Sequence, residues 1–453
     1  MSPRAWGILL VLSGAIFLEG IDVAMMGVAL PAIQSDLGMS TASLQWVVSA
    51  YVLGYGGFML LGGRAADLLG RRRMFLFWLT VFLLFSGLGG FADSGWMLIL
   101  SRFVTGLAAA FMTPAGLSII TTSFAEGPQR NKALLVYAGI AAAGFSLGLV
   151  VGGLLTAIHW RWVFFAPVIL AALILVTAAR LLPREERPAR TSGFDVTGAV
   201  TITGAMLLLV TTVVRAPDVD VKWTVLTGVA GLLALSVFVA VERRSSSPLV
   251  RLGILRSAPL IRANIGAIAF SGSFVGFQFM LVQYLQHLRG WSALETGLAM
   301  IAIGIDAIVA PVLTPRLVAR FGNTKVIATG FTAALGAYAF FLTVGTDTAY
   351  AVMLPAMLLL GMAFALAYGP LTIAATDGID EAEQGLAGGL FNTSFQFGSA
   401  LGLAVATAVN VAVTQSESPS DLLAGYKAAF VVSVVAAFLA LLTTFGGLRS
   451  ARR

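Results

Sequence analysis

The stretch Gly63-Arg-Ala-Ala-Asp-Leu-Leu-Gly70 lines up with Pro315-Arg-Leu-Val-Ala-Arg-Phe-Gly322 at a constant offset of 252 residues. Each copy closes an apolar run, residues 43–63 before the first and 292–315 before the second. A bilayer crossing takes about 20 mostly apolar residues, so both runs qualify as spanning helices. A second match, Thr113-Pro114 against Gly369-Pro370, falls in the fourth apolar run of each copy. Two related halves with a site between them are a recurrent design of membrane proteins that move small molecules. The repeat therefore predicts an all-α integral membrane protein built from two six-helix bundles.

Working outward, apolar runs occur at 7–30, 43–63, 74–92, 96–121, 133–157, 162–182, 194–214, 223–241, 264–286, 292–315, 325–344, 350–376, 386–412 and 424–447. The pair 194–214 and 223–241 matches neither half. The expected organisation is an N-terminal bundle over 1–182, a linker with two extra helices over 183–262, and a C-terminal bundle over 263–453. The gaps between runs leave no room for a soluble domain, so function must lie inside the bundle. No cleavable signal peptide is expected, because the run from Gly7 to Leu30 carries Glu19 and Asp22, which a signal core would lack.

Composition agrees and excludes several classes. Hydrophobic residues make up 58% and charged residues 11%, against roughly 25% charged in a soluble domain. The surplus apolar surface requires lipid as a partner. Fifty glycines suit helices packed closely in a membrane. With no cysteine and only His159 and His287, neither a thiolate nor a histidine metal site is expected. No phosphate loop ending in Gly-Lys-Ser/Thr is present, so neither ATP hydrolysis nor any cofactor is expected. The net charge of +7 is not a nucleic-acid patch, because its cations sit in short loops. With both termini placed in the cytoplasm, 22 of the 28 Lys and Arg residues fall on that side, 5 on the other, and Arg102 within a span. That excess predicts cytoplasmic termini, an even number of crossings and a multi-pass protein of the plasma membrane.

The intramembrane charges are the candidate machinery. Glu19 and Asp22 are three residues apart and share one helix face. A carboxylate facing lipid is costly, so that face lines a polar cavity. A buried acid whose proton comes and goes is what a proton carrier needs. Arg102 cannot give up its proton and requires an acidic partner. Asp306 lies mid-span in the tenth run, and an acid there points to substrate contact. Tyr51 and Tyr55 share a face, as do Asn392 and Gln396; all four are candidates for the cavity wall, though such groups also bind helices to one another. Gly144, Gly148 and Gly152 form a flat stripe for close helix contact.

Several of these stretches resemble known signatures. Gly63-xxx-Asp67-xx-Gly70-Arg71-Arg72-Arg73 is similar to the loop after the second helix of the major facilitator superfamily. Ile21-Asp22 through Pro31, Arg102-Phe-Val-Thr-Gly106 and Gly144-xxx-Gly148-xxx-Gly152-Gly153 resemble the first-, fourth- and fifth-helix motifs of its drug:proton antiporters. Trp160-Arg161-Trp162 and Ser247-Pro248-Leu249 resemble the fourteen-helix branch. Leu149 replaces the usual proline of the fifth-helix motif, Ala166 a usual asparagine, and Ala319 the acid of the second signature loop. The resemblance implies fourteen crossings, Asp22 paired with Arg102 for proton coupling, and a conformational switch in Gly63, Asp67, Gly70, Arg71, Arg72 and the glycine stripe. It implies secondary active, proton-coupled export of amphipathic drugs, antibiotics or natural products by alternating access, in a monomer whose partners are lipid, protons and a small molecule. A facilitator or importer of a small polar metabolite is the alternative. A membrane enzyme or sensor would need a catalytic constellation or an added domain that the sequence does not display.

Overall fold

The structure, a computed structural model, describes residues 2–124, 128–183, 196–215, 219–245, 252–379 and 384–450. Its N-terminal bundle comprises α1 (Pro3–Leu37), α2 (Thr41–Leu69), α3 (Arg71–Gly90), α4 (Gly95–Ser123), α5 (Pro128–Ile158) and α6 (Trp162–Leu181). The extra pair is α7 (Val196–Arg215) and α8 (Val221–Arg244). The C-terminal bundle opens with α9 (Ala258–Gln283), prolonged by a π-helical turn over Tyr284–Leu288. The next rod is broken into α10 (Ala293–Met300), a 3₁₀ turn at Ile303–Ile305, α11 (Asp306–Val312) and α12 (Thr314–Phe321). The bundle ends with α13 (Asn323–Phe341), α14 (Tyr350–Thr376), α15 (Gln384–Val413) and α16 (Pro419–Ser450). Among the described residues each apolar run is largely helical, the tenth in pieces. Among the described residues ten helices are long and apolar enough to cross a membrane.

Local chemistry sets the boundaries. Ser2 accepts a hydrogen bond from the Ala5 amide, and Ser40 from that of Ser43, each satisfying a donor that the first helical turn leaves free. Ser292 and Glu295 form a reciprocal capping box at α10. Gly70 (φ 95°) and Gly322 (φ 81°) both turn the chain in the left-handed region, where a side chain is disfavoured. They occupy matching places of the repeat, so the two halves share a backbone turn as well as a sequence pattern.

Glycines set the helix spacing. On α5, a Cβ at Gly144 would lie 2.7 Å from the Phe17 carbonyl oxygen, and one at Gly148 2.8 Å from that of Ile21. The stripe thus packs on α1 of its own half. The two halves meet instead where Gly153 faces the Ala293 carbonyl, where Gly297 faces the Leu149 carbonyl, and where Gly56 of α2 approaches the Cβ of Gln396 on α15. Core packing is continuous from Met25, Val28 and Ile33 of α1 to Phe277, Met280 and Leu285 of the C-terminal half. The halves are therefore fused at the end of the bundle where α1 finishes. The extra pair joins this arrangement at its edge, where α7 lies against α2 and α15. Thr203 of α7 donates to the Gly57 carbonyl at 2.7 Å, while α8 packs on α7 through Gly231 and Leu209 and exposes Leu226, Leu232, Leu233 and Val237.

Candidate functional site

The α2–α4 crossing places the deepest charge. Gly54 abuts the Phe103 carbonyl and Gly106 the Tyr51 carbonyl, closer than a side chain allows. This approach lays the Arg102 guanidinium over the Tyr51 ring, 4.4 Å from its centroid. Arg102 Nε donates to the Val47 carbonyl at 3.4 Å, and Nη1 to Asp22 Oδ2 at 2.6 Å. Both partners are buried, at 2% and 1% exposure. An ion pair this dry holds only while both members stay, because either alone is an uncompensated charge in low dielectric. The pairing is incomplete: Asp22 Oδ1 and Tyr51 Oη are buried with no hydrogen-bond partner among the described residues.

Glu19, one turn along the same face, is held differently. Thr113 Oγ1 donates to Glu19 Oε2 at 2.6 Å, and the Tyr55 hydroxyl also bonds it. Two acids of one helix thus have unlike partners, a fixed cation for Asp22 and hydroxyl groups for Glu19. The Tyr51 and Tyr55 rings meet edge to face at 6.1 Å and form the wall between them. Val23 is 37% exposed, and a Cβ at Gly27 would meet no atom within 4 Å, so α1 borders open space beyond the acids. The hydroxyls of Tyr137 on α5 and Tyr368 on α14 lie within Coulombic range of Glu19.

The remaining candidates are placed as follows. Asp306 begins α11 after the 3₁₀ turn, half-buried and engaged with its neighbours. Asn392 donates to the Gly388 carbonyl of its own helix at 3.1 Å, and the Gln396 stem fills the α2–α15 approach at Gly56. The Asp67 side chain lies outside the described atoms. A Cβ at Gly63 would lie 3.8 Å from Pro114 Cβ. Arg71 is half-buried and engaged. Arg72 donates to the carbonyls of Leu182 at 3.2 Å and Ala179 at 2.8 Å, satisfying the open end of α6 within its own half.

Sequence reasoning passed over Thr113, Tyr137, Tyr368 and the polar links at the fused end. There Gln283 Nε2 donates to Gln34 Oε1 at 3.2 Å and Gln286 Nε2 to the Val28 carbonyl at 3.0 Å, joining the halves. Trp160 and Arg161 each donate to Asp36 at 2.8 Å, and Arg161 also reaches the Ala92 carbonyl at 3.0 Å, so the Trp-Arg-Trp stretch ties α1 to α3 and α6. The departure of Gly369 from Thr113 in the repeat was the available signal for Thr113.

The sequence profile of the Major Facilitator Superfamily matches residues 12–403. The chain is 34% identical to the puromycin resistance protein pur8 of Streptomyces alboniger, over 98% of this chain and 90% of that protein. It is 36% identical to the cephamycin export protein CmcT of Amycolatopsis lactamdurans, over 94% of this chain and 89% of that one. Among solved structures, a peptide transporter POT crystallised with sulfate superposes with a TM-score of 0.71 at 17% identity, covering 98% of this chain and 95% of that one. The nucleoside transporter NupG superposes with a TM-score of 0.67 at 15% identity, covering 98% and 99%. At these identities the structures establish the fold alone.

Proposed function

The chain belongs to the Major Facilitator Superfamily, and from that premise we propose that it exports an amphipathic antibiotic or natural product in exchange for protons. It is a multi-pass membrane transporter and not an enzyme. The observation that carries the coupling is the dry Asp22–Arg102 pair with a second acid, Glu19, one turn away on hydroxyl partners. Asp22 is the proton site, released from Arg102 as the halves rock. Glu19 supplies the charge that accommodates a cationic substrate. The glycine crossings and the Gly63–Arg73 loop are the moving parts in this reading. The names of the relatives, which confer puromycin resistance and export cephamycin, favour this reading over uptake of a polar metabolite.

The energy suffices. Each entering proton supplies about 2.3 kcal/mol per 100 mV of membrane potential and about 1.4 kcal/mol per pH unit. For one neutral molecule per proton, 100 mV and one pH unit sustain roughly a 500-fold gradient. The test is proton flux from proteoliposomes on addition of cationic, neutral and anionic antibiotics. Substrate-stimulated proton movement is expected for one class at least; transport without it would favour the facilitator.

In the same reading the protein acts as a monomer in the plasma membrane, with both termini cytoplasmic and fourteen crossings. Tags inserted at residues 190 and 255, on either side of the extra pair, are expected to be cytoplasmic in intact cells. A tag reached by an impermeant reagent from outside would overturn the fourteen-crossing topology.

A further inference from the structure

The α1–α5 crossing is repeated by α9 and α15. Gly144 and Gly148 lie on the Phe17 and Ile21 carbonyls; Gly398 lies on the Ile268 carbonyl and Gly402 on Gly272. This register pairs Phe17 with Ile268 and Ile21 with Gly272. It follows that Glu19 corresponds to Phe270 and Asp22 to Ser273. Thr113, the donor to Glu19, corresponds to Gly369 through the shared proline. Where the N-terminal half holds an acid and its hydroxyl partner, the C-terminal half holds a phenylalanine and no side chain.

An aromatic wall grows from that substitution. Phe270 is fully buried and supports Phe364 at 5.9 Å. Phe364 stacks on Tyr368 at 5.3 Å with 12° between the rings, and Phe395 meets Tyr368 edge to face at 5.2 Å. Phe364, Tyr368 and Phe395 are each half-buried, in contrast to Phe270 behind them. Gln396, next to Phe395, lies against Gly56 of α2, whose neighbour Tyr55 bonds Glu19. The wall thus approaches the acid from the opposite half, with the Tyr368 hydroxyl feeling the Glu19 charge.

We propose that Tyr368 is a specificity-determining residue: with Phe364 and Phe395 it receives the planar aromatic part of a substrate whose protonated amine sits at Glu19. This rests on the export reading above and adds a substrate class to it. Flat rings bind aromatic surfaces through offset and edge contacts that a saturated ring of equal size does not make. An ammonium group needs the counter-charge, which the C-terminal wall lacks and Glu19 provides. A molecule that spans both walls is held best when the halves approach, so its binding favours the closed conformation over either open one.

Three probes separate the two walls: naphthylmethylamine, its uncharged N-acetyl derivative, and the saturated decalinylmethylamine. Binding to the reconstituted full-length protein is measured by calorimetry, and export by proton-coupled flux in the same vesicles. The wild type is expected to prefer the naphthyl amine over both others. Tyr368→Leu should lower the naphthyl-to-decalinyl preference by about tenfold and leave the amine-to-amide preference intact. Tyr368→Phe should keep both, and Glu19→Gln should lose only the second. An unchanged naphthyl-to-decalinyl ratio in Tyr368→Leu overturns the proposal, as does a wild type that binds none of the probes. If proton-coupled flux of the naphthyl amine persists while Tyr368→Leu changes no ratio, the inference alone fails. If the probes bind with the expected ratios but none moves with protons, the export reading fails and the binding wall stands.

Discussion

Asp22→Asn is expected to abolish proton-driven accumulation of every substrate and to destabilise the protein at once, and the two effects are separable. The variant keeps the volume of the side chain but leaves the Arg102 guanidinium, 2% exposed, without its counter-charge. Removing one member of a buried pair typically costs about 3–5 kcal/mol, whereas removing both is often neutral. Thermal unfolding of Asp22→Asn in detergent should therefore fall well below wild type. The double variant Asp22→Asn with Arg102→Gln should recover most of that loss. Neither protein should move protons with substrate, because recovered packing does not restore a titratable group. Passive exchange of substrate across the vesicle membrane is expected to persist in the double variant, since Glu19 and its partners Thr113 and Tyr55 are untouched. A double variant that still concentrates substrate against its gradient would end the assignment of Asp22 as the proton site.

What could be read beforehand follows from how far each signal reaches along the chain. Hydropathy and the 252-residue repeat are properties of contiguous sequence, and they located the helices and the paired turns at Gly70 and Gly322. The Asp22–Arg102 contact was legible although 80 residues separate its members: a permanent cation inside a span requires an intramembrane acid, and the resemblance to the first- and fourth-helix motifs singled out Asp22 among the three acids. Thr113 and Glu19, 94 residues apart, were not. A threonine in a span bonds its own helix as readily as a neighbour, as Thr177 and Thr372 do. Tyr368 was equally silent, since an aromatic residue in a membrane helix is most often ordinary packing. The stripe Gly144–Gly152 announced a close contact but not its partner, which is α1 rather than the other half. The break between Met300 and Asp306 escaped because apolar residues fill it, and hydropathy does not register a change of helical hydrogen bonding. Arg72 adds a role that its loop signature does not announce, since its bonds to Ala179 and Leu182 cap the end of α6.

Gly106→Leu is expected to be the most damaging change that touches no charge. Gly106 lies against the Tyr51 carbonyl, so even a methyl group there must push α2 away from α4. A backbone atom on the opposing helix has no rotamer by which to yield. Overpacking a tight core commonly costs about 1–3 kcal/mol, and a leucine at a helix crossing belongs at the top of that range or beyond it. The displacement falls one turn from Arg102, whose bond to the Val47 carbonyl and stacking on Tyr51 both depend on the α2–α4 distance. Loss of proton coupling should therefore accompany the loss of stability, with Gly106→Ala intermediate in both. Gly204 on α7 is the matched control, because a Cβ there meets no atom within 4 Å. With no clash to offset it, Gly204→Ala should gain about 0.5–1 kcal/mol from the lower chain entropy of alanine and leave transport unchanged. Thermal unfolding and proton flux measured on the three variants give the comparison. If Gly106→Leu unfolds with wild-type stability, the α2–α4 approach does not set the geometry of the Asp22–Arg102 site, and its position must be imposed from the α1–α5 crossing instead.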